Sequence, residues 1–347
     1  ELYTALAANF PMEKVYFHGN NKTAAEITMA LDANIGRFVV DNFYEMELLN
    51  SLAGEAGGTA DILLRITPGV EAHTHEYIQT GQIDSKFGFT LPNGQALQGV
   101  KKALAYENIN LVGLHCHIGS QIFDLNSFAH AASIMMNFLK QIYNETSFEV
   151  KELNLGGGFG IYYCDGDDPA NITDYADLVM EVVTASAKNL GLVMPKIVVE
   201  PGRSIAGPAG STLYTVGSIK EIPGIRKYVA IDGGMTDNIR PALYQAKYET
   251  MLANKAQEAS SETVTIAGKC CESGDILFRD IKLPAAKPGD ILAVASTGAY
   301  GYSMSNNYNR LLKPAVVLVS DGESNLIVAR ETYSDLIRND IIPEKLT

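Results

Sequence analysis

Basic residues, cysteine and long apolar runs are all scarce in this sequence. Of its 347 residues, 27 are Lys or Arg and 40 are Asp or Glu, which gives a formal net charge of −13. A nucleic acid-binding surface needs a basic excess, so we expect no nucleic acid partner, although a local anion site is compatible with this charge. No apolar run approaches the ~18 residues of a membrane-spanning helix, so we also expect no membrane span.

The few cysteines and the first residues bear on cellular location. Four cysteines, Cys116, Cys164, Cys270 and Cys271, are too few for a disulfide framework, and the last two are adjacent and could bridge only with strain. The chain begins at Glu1 without a basic or apolar leader. We therefore expect a reducing, cytoplasmic location.

Apolar runs and amphipathic stretches alternate through the first 200 residues. The runs that read as strands are residues 15–17, 37–40, 61–66, 111–114, 153–155 and 196–199. The stretches with helical spacing are residues 23–31, 44–52, 95–105, 127–143 and 175–190. This alternation predicts an α/β fold of parallel strands joined by helical crossovers. Its polar and glycine-rich motifs mostly follow strands, at the edge where barrels build their sites.

The pattern changes after residue 206. Short alternating strands then follow one another, and they are predicted at residues 212–216, 227–232, 263–267, 291–296, 315–320 and 325–330. This pattern predicts a mostly antiparallel β domain. We therefore predict two domains, a partial (β/α) barrel at 1–206 and a C-terminal β domain at 207–347.

Two motifs follow strands in the first half. Gly156, Gly157 and Gly158 form a cluster whose backbone N–H groups could hold a phosphate, or that could simply make a tight turn. The dinucleotide pattern G-x-G-x-x-G fails because residue 161 is Ile. Further on, Glu200 could hold a proton on a heterocycle nitrogen and Arg203 could bind phosphate or carboxylate, or the two could form an ordinary surface ion pair.

His115 and His117 are two residues apart in a predicted strand, so they would face the same side. A metal pair is possible, but a zinc site needs at least three protein ligands and no further cluster is evident. We predict no metal site. An imidazole stacked on an aromatic cofactor, with Ser120 on a phosphate, fits these surroundings better.

The second half offers three weaker motifs. Cys271 beside Glu272 could be a proton donor or an ordinary thiol in a loop. Arg240 and Tyr244 could contact a carboxylate, or be a surface Arg and a packed Tyr. Tyr300 lies between glycines, where it could donate to a phosphate or fill a turn.

In order along the chain, these motifs resemble the diaminopimelate decarboxylase family. The segments are FHGNNK, HTHEYIQTG, KFG, GLHCHIGSQ, NLGGGFG, VEPGRS, DGGMTDNIRPALY, CESGD and TGAYGYSMSNNYN, and together they extend over nearly the whole chain. The family makes L-lysine from meso-2,6-diaminopimelate with pyridoxal 5′-phosphate. The resemblance implies an alanine-racemase-like TIM-type (β/α)8 barrel followed by a β domain.

The resemblance also implies roles for single residues. His117 would stack on the cofactor ring, Glu200 would pair with the pyridine nitrogen, and Cys271 would return a proton to the carbanion left by CO2. The implied phosphate contacts are Ser120, Gly156, Gly157, Gly158, Gly202, Arg203 and Tyr300. The implied substrate contacts are Arg203, Arg240, Tyr244, Glu272 and Tyr300. In this family Cys271 and Glu272 come from the other subunit, which implies a homodimer with shared active sites.

One family motif is missing. The family's Schiff-base lysine lies in a Tyr-Ala-x-Lys-Ala-Asn segment on its first strand, and no such segment occurs here. Glu1 and Leu2 resemble the end of a later family segment, so we expect an N-terminally truncated chain lacking two βα units, roughly 60 residues. Lys22 of FHGNNK matches a different lysine of the family. We therefore expect this chain to be inactive by itself.

Two alternatives stay open. One is the decarboxylation of ornithine, arginine or carboxynorspermidine, although Arg240, Tyr244 and Glu272 favour a substrate with a second amino-acid head. The other is a catalytically inactive homologue that pairs with an active subunit. The missing lysine favours this second alternative, and the retained proton donor at Cys271 weighs against it.

Overall fold

The computed structural model describes residues 1–70 and 84–346, so the HTHEYIQTG segment lies outside the described residues. Two compact units are formed, one by residues 1–160 and 169–201 and the other by residues 161–168 and 202–347. Among the described residues, no helix combines the length and apolar character needed to cross a membrane.

A parallel sheet organises the first unit. Its strands are β1 (Tyr16–Phe17), β2 (Arg37–Val40), β3 (Ala60–Thr67), β4 (Phe89–Thr90), β5 (Ile109–Cys116), β6 (Glu152–Asn154) and β7 (Lys196–Val198). Their order is β1-β2-β3-β5-β6-β7, with β4 paired to β3, and every pairing is parallel. The predicted α/β architecture is confirmed, and β4 is a strand that the sequence did not reveal.

Helices flank the strands of the first unit. They are α1 (Leu2–Ala7), α2 (Ala24–Asp32), α3 (Phe43–Glu55), α4 (Gln95–Ala105), α5 (Leu125–Thr146) and α6 (Ile172–Leu190). Thr23 forms a capping box with Glu26 before α2, and Asn42 accepts from the Glu45 amide before α3. Such caps satisfy backbone N–H groups that a first helical turn leaves unpaired, which fixes where each helix starts.

Alternate residues of the parallel strands pack on opposite faces of the sheet. One face meets the helices and forms the main core, whereas Val39, Leu63 and Val112 form a small separate cluster with Tyr16. Tyr16 on β1 donates to the Glu152 carboxylate on β6 at 2.6 Å, although these strands are not neighbours in the sheet. The sheet therefore curls like a barrel wall, with polar side chains meeting inside it.

The second unit is built mainly from antiparallel strands. Its elements are α7 (Gly202–Ala206), β8 (Thr212–Ile222), β9 (Arg226–Ile231), α8 (Arg240–Tyr244), β10 (Thr250–Leu252), β11 (Glu262–Ala267), β12 (Ile276–Leu283), β13 (Ile291–Val294), β14 (Val316–Ser320), β15 (Glu323–Val328) and α9 (Tyr333–Ile337). One sheet has the order β10-β13-β8-β9-β11-β12, in which only β9 and β11 are parallel neighbours, and β14 pairs with β15. The predicted, mostly antiparallel β architecture of this part of the chain is confirmed. Strands β10 and β12 were not predicted from the sequence.

Short 3-10 helices lie at Met12–Lys14, Ala253–Lys255, Tyr302–Met304, Tyr308–Arg310 and Glu344–Leu346. The core of the second unit includes Ile161 and Tyr163, which the sequence analysis had assigned to a barrel domain ending at residue 206. The domain assignment itself stays a prediction.

Candidate active site

Glu200 follows β7, and its carboxylate lies among side chains from the ends of three other strands. Its Oε1 accepts hydrogen bonds from His18 Nε2 at 2.8 Å and from Asn154 Nδ2 at 2.9 Å. Its Oε2 lies 3.5 Å from Nε2 of His115. The sequence singled out Glu200 but not His18 or Asn154, although both belong to motifs that carry the family resemblance.

The electrostatics of this group keep Glu200 ionised and His115 neutral. Burial would raise the pKa of Glu200, but the neighbouring His115 and His18 hold it well below its usual range. Burial lowers the pKa of His115 to about 4, even though Glu200 opposes this shift. At neutral pH the site therefore presents a carboxylate that can accept a proton-bearing partner.

His117 contacts the glycine cluster. Its Nδ1 accepts from the Gly157 amide at 3.2 Å, and burial lowers its pKa to about 3, so the imidazole is neutral. Gly156 has φ +69°, and a Cβ there would lie 2.6 Å from the Cys116 carbonyl oxygen. A Cβ on Gly157 would lie 2.2 Å from the Glu200 carbonyl oxygen. The glycines thus allow the loops after β5, β6 and β7 to touch.

The loop that carries Ser120 also packs against the glycine cluster. Gly158 has φ +105°, and a Cβ there would lie 2.3 Å from the carbonyl oxygen of Gly119. The Gly158 carbonyl also accepts from the Ile122 amide at 2.9 Å. The tight-turn interpretation of the cluster is supported, and its phosphate-binding role stays a prediction.

The spacing argument for a His115–His117 metal pair fails. Strand β5 ends at Cys116, so His117 no longer follows the alternation of a strand. His115 faces His18 and Glu200, whereas His117 faces Gly157.

Lys22 is buried and fully engaged away from Glu200. Its Nζ donates to the carbonyls of Gly19 and Val39 at 2.8 Å each and to Glu45 Oε1 at 2.7 Å. Burial lowers its pKa, while Glu45 acts in the opposite direction. These contacts give Lys22 a structural role between the segment after β1 and α3.

In the second unit, two buried arginines meet at one tyrosine. Arg203 Nη1 donates to the Tyr163 hydroxyl at 2.6 Å, and the Arg240 guanidinium lies 4.8 Å from the centre of the Tyr163 ring. The Tyr300 ring lies 4.6 Å from the Arg203 guanidinium, with Tyr300 at φ +59°. The structure thus brings Arg203, Arg240 and Tyr300 together. The sequence did not point to Tyr163, because nothing in its local pattern marks it.

Helix α8 carries the remaining predicted carboxylate contacts. It places Arg240 and Tyr244 one turn apart, on the same side of the helix. Arg240 also donates to the hydroxyl of Tyr248, a second tyrosine that the sequence did not single out. Two aromatic rings therefore fix the Arg240 side chain.

Cys271 and Glu272 lie on an exposed turn between β11 and β12. The Cys271 amide donates to Asn309 Oδ1 at 2.7 Å, and Glu272 Oε1 accepts from the Gly274 amide at 3.1 Å. Just before them, the Cys270 amide donates to Asp275 Oδ2 at 2.9 Å. Side chains thus fix the backbone of this turn, while Cys271 itself stays accessible.

Comparison with known proteins identifies the family. Residues 1–207 match the family model of the pyridoxal binding domain of pyridoxal-dependent decarboxylases. The diaminopimelate decarboxylase of Bacillus subtilis is 59% identical over 341 residues, which are 98% of this chain and 78% of that protein. The chain belongs to the diaminopimelate decarboxylase family.

Other diaminopimelate decarboxylases agree with this assignment. The protein from Mycobacterium tuberculosis is 46% identical over 97% of this chain and 77% of its own length. A crystal structure of the M. jannaschii diaminopimelate decarboxylase has a TM-score of 0.92 at 41% identity, covering 100% of this chain and 78% of that one. A second structure of that enzyme, with a TM-score of 0.91, is a complex with L-lysine.

The residues around Glu200 fit the pyridoxal phosphate that this family uses. An ionised carboxylate with one face open to solvent can pair with a protonated ring nitrogen. The neutral imidazole of His117 has the flat ring that stacking on an aromatic cofactor requires. The glycine loop lies at the same edge of the sheet, where the Gly156 amide donates to Asn154 Oδ1 at 2.9 Å and the Gly157 amide donates to His117 Nδ1 at 3.2 Å.

Proposed function

We propose that this protein decarboxylates meso-2,6-diaminopimelate to L-lysine and CO2 with pyridoxal 5′-phosphate as cofactor. The observation that carries the proposal is the 59% identity to the Bacillus subtilis enzyme over 98% of the chain. The ionised Glu200 at the carboxyl edge of a curled parallel sheet supports it chemically. The lysine complex of the M. jannaschii relative supports the product assignment.

When bound, pyridoxal phosphate supplies an electron sink for the bond to the departing carboxylate. Glu200 would hold the proton on the pyridine nitrogen, and its carboxylate is kept ionised and oriented by His18, His115 and Asn154. His117 would pack against the ring as a neutral imidazole. The residues that would hold the phosphate are Ser120, Gly156, Gly157, Gly158, Gly202, Arg203 and Tyr300.

Selectivity resides in the distal carboxylate of the substrate, which an ornithine-type amino acid lacks. Arg203, Arg240 and Tyr244 bind this carboxylate, Tyr300 contacts substrate as well as phosphate, and Glu272 binds the distal ammonium. The proposal is supported by the two buried guanidinium groups, whose fixed geometry suits bidentate recognition.

Calorimetry on the cofactor-loaded chain tests this selectivity. We expect meso-diaminopimelate to bind about 10- to 100-fold more tightly than L-ornithine, the range of a charge-assisted contact worth about 1.5–3 kcal/mol. Arg240→Gln should remove most of this preference, whereas Arg226→Gln, at an exposed ion pair with Asp280, should retain it. Equal binding of the two amino acids by the unaltered chain would contradict the proposed substrate.

We also propose that Lys22 does not carry the cofactor. The support is that Lys22 Nζ already donates to three acceptors, one of them a buried carboxylate. Borohydride reduction of the chain with pyridoxal phosphate, followed by peptide mass spectrometry, should give no adduct on Lys22. A single adduct that disappears in Lys22→Arg would overturn this proposal.

We further propose a homodimer in which Cys271 and Glu272 act in the partner's site, with Cys271 as the proton donor. The support is that both side chains lie on an exposed turn with a fixed backbone. The family's role in amino-acid biosynthesis and four free cysteines support a cytoplasmic location.

Mixing subunits tests the shared site. The partner is the full-length Bacillus subtilis enzyme with its matching cysteine replaced. Adding this chain should restore CO2 release from meso-diaminopimelate, because it contributes Cys271. The Cys271→Ala chain should not rescue activity, whereas the Cys270→Ser chain should. Rescue by Cys271→Ala, with hybrid formation verified by native mass spectrometry, would contradict the assignment.

A further inference from the structure

His18, His115 and Glu200 form a second kind of site within the first unit. The ligand atoms of the three side chains all lie within 4.8 Å of one another. Two imidazole nitrogens and one carboxylate oxygen are a donor set that binds Zn2+ with a coordination position left open. Imidazole is also a good ligand for other divalent transition metals.

His115 is buried with its ring nitrogens poorly hydrogen-bonded, which also points to a ligand. Its side chain is 1% exposed, and neither ring nitrogen makes a hydrogen bond of good geometry to a described residue. Nε2 instead faces Glu200 Oε2 across 3.5 Å, which is longer than a normal hydrogen bond. A buried ring nitrogen without a hydrogen bond of good geometry costs free energy, and a metal ion between these two atoms would coordinate it.

The other two side chains make the site reachable. His18 and Glu200 are each about one-third exposed, so an ion can enter from solvent and water can complete its coordination. The Asn154 amide donates to Glu200 Oε1 and holds the carboxylate in place. Such an oriented ligand strengthens metal binding.

We propose that the cofactor-free protein binds one divalent transition-metal ion, Zn2+ or Co2+, through His18, His115 and Glu200. By the proposed function, Glu200 is also the partner of the cofactor's pyridine nitrogen, so the metal and pyridoxal phosphate exclude each other there. The metal-bound site cannot hold the cofactor, so the ion must leave before pyridoxal phosphate binds.

The first test titrates the untagged, cofactor-free chain with Co2+ by visible absorption and with Zn2+ by calorimetry. We expect one ion per chain, with affinity at least tenfold weaker in His18→Gln and in His115→Gln. His130→Gln, an exposed histidine on α5, should bind like the unaltered chain. Far-UV circular dichroism checks the fold, and the partly exposed His18 keeps the test valid if the buried His115 variant misfolds.

Three outcomes would overturn the site. They are no stoichiometric binding, unchanged affinity in a folded His18→Gln chain, and a thiolate charge-transfer band that assigns the ion to the four free cysteines. A second titration, with pyridoxal phosphate present, tests only whether the cofactor and the metal ion exclude each other. Weaker Zn2+ binding supports exclusion and unchanged binding overturns it, whereas the first titration does not depend on the cofactor assignment.

Discussion

His115 couples the stability of the parallel-sheet unit to pH. Burial lowers its pKa to about 4, whereas an unfolded histidine titrates near about 6.5. Between these values the unfolded chain binds more protons than the folded chain. The contribution of His115 to stability is therefore fully present above about pH 6.5 and is lost as the pH falls towards 4.

We expect His115→Gln to reduce the slope of unfolding free energy against pH. The reduction should be about 1 kcal/mol per pH unit between about pH 6 and 5, because one proton corresponds to about 1.4 kcal/mol per unit. Urea titrations at several pH values measure the slope. His130→Gln is the matched control and should leave it unchanged. A His115→Gln chain with the original slope would show that His115 titrates normally in the folded state.

The sequence identified Glu200 and His115 but not His18 or Asn154 beside them, for a physical reason. His18 is 182 positions away from Glu200, and the two meet only because the sheet curls until the ends of β1 and β7 approach. No local pattern encodes that curvature. Tyr163 is a similar case, since its contacts with Arg203 and Arg240 depend on tertiary packing. The residues found from sequence were those at strand ends within glycine-rich motifs.

The glycine loop after β6 packs directly against the backbone of the loop after β7, which leaves no space for a side chain. A Cβ on Gly157 would lie 2.2 Å from the Glu200 carbonyl oxygen, so Gly157→Ala must move the loop after β7. We expect a loss of about 1–3 kcal/mol in unfolding free energy, typical of overpacking, and at least tenfold weaker pyridoxal phosphate binding. Urea unfolding and an absorbance titration measure these effects. Gly58→Ala is the control, because its Cβ would meet nothing within 4 Å and Gly58 has no proposed role in the site.

The elements predicted best were those with clear periodicity, and the missed strands lack it. Helix α4 was predicted with its observed bounds, Gln95–Ala105. Strands β4 and β10 are only two and three residues long, too short for a periodic signal. In β12 the alternation is interrupted near Asp280, which has φ +51°, and its pairing with β11 shifts register. Tertiary pairing rather than local pattern defines these strands.

At the scale of the molecule, the chain passes between its two units three times. The segment 161–168 interrupts the first unit but contributes Ile161 and Tyr163 to the core of the second. Tyr163 packs edge-on against Tyr248, and its carbonyl accepts from the Glu249 amide. The predicted boundary at 206 came from the change in periodicity. It could not show that residues 161–168 belong to the second unit, because a segment of eight residues is too short to have a periodic pattern.

Tyr163→Ala should therefore destabilise the second unit rather than the first. We expect a loss of about 3–5 kcal/mol, as for other large buried aromatic side chains. Hydrogen exchange read by mass spectrometry should show faster exchange in β8 and β11 and unchanged exchange in β3 and β5. Tyr162→Ala is the matched control, since that neighbouring side chain is exposed and should change either unit by less than about 1 kcal/mol. Faster exchange confined to β3 and β5 would instead place residues 161–168 with the barrel, because a cavity weakens the core in which the lost side chain was packed.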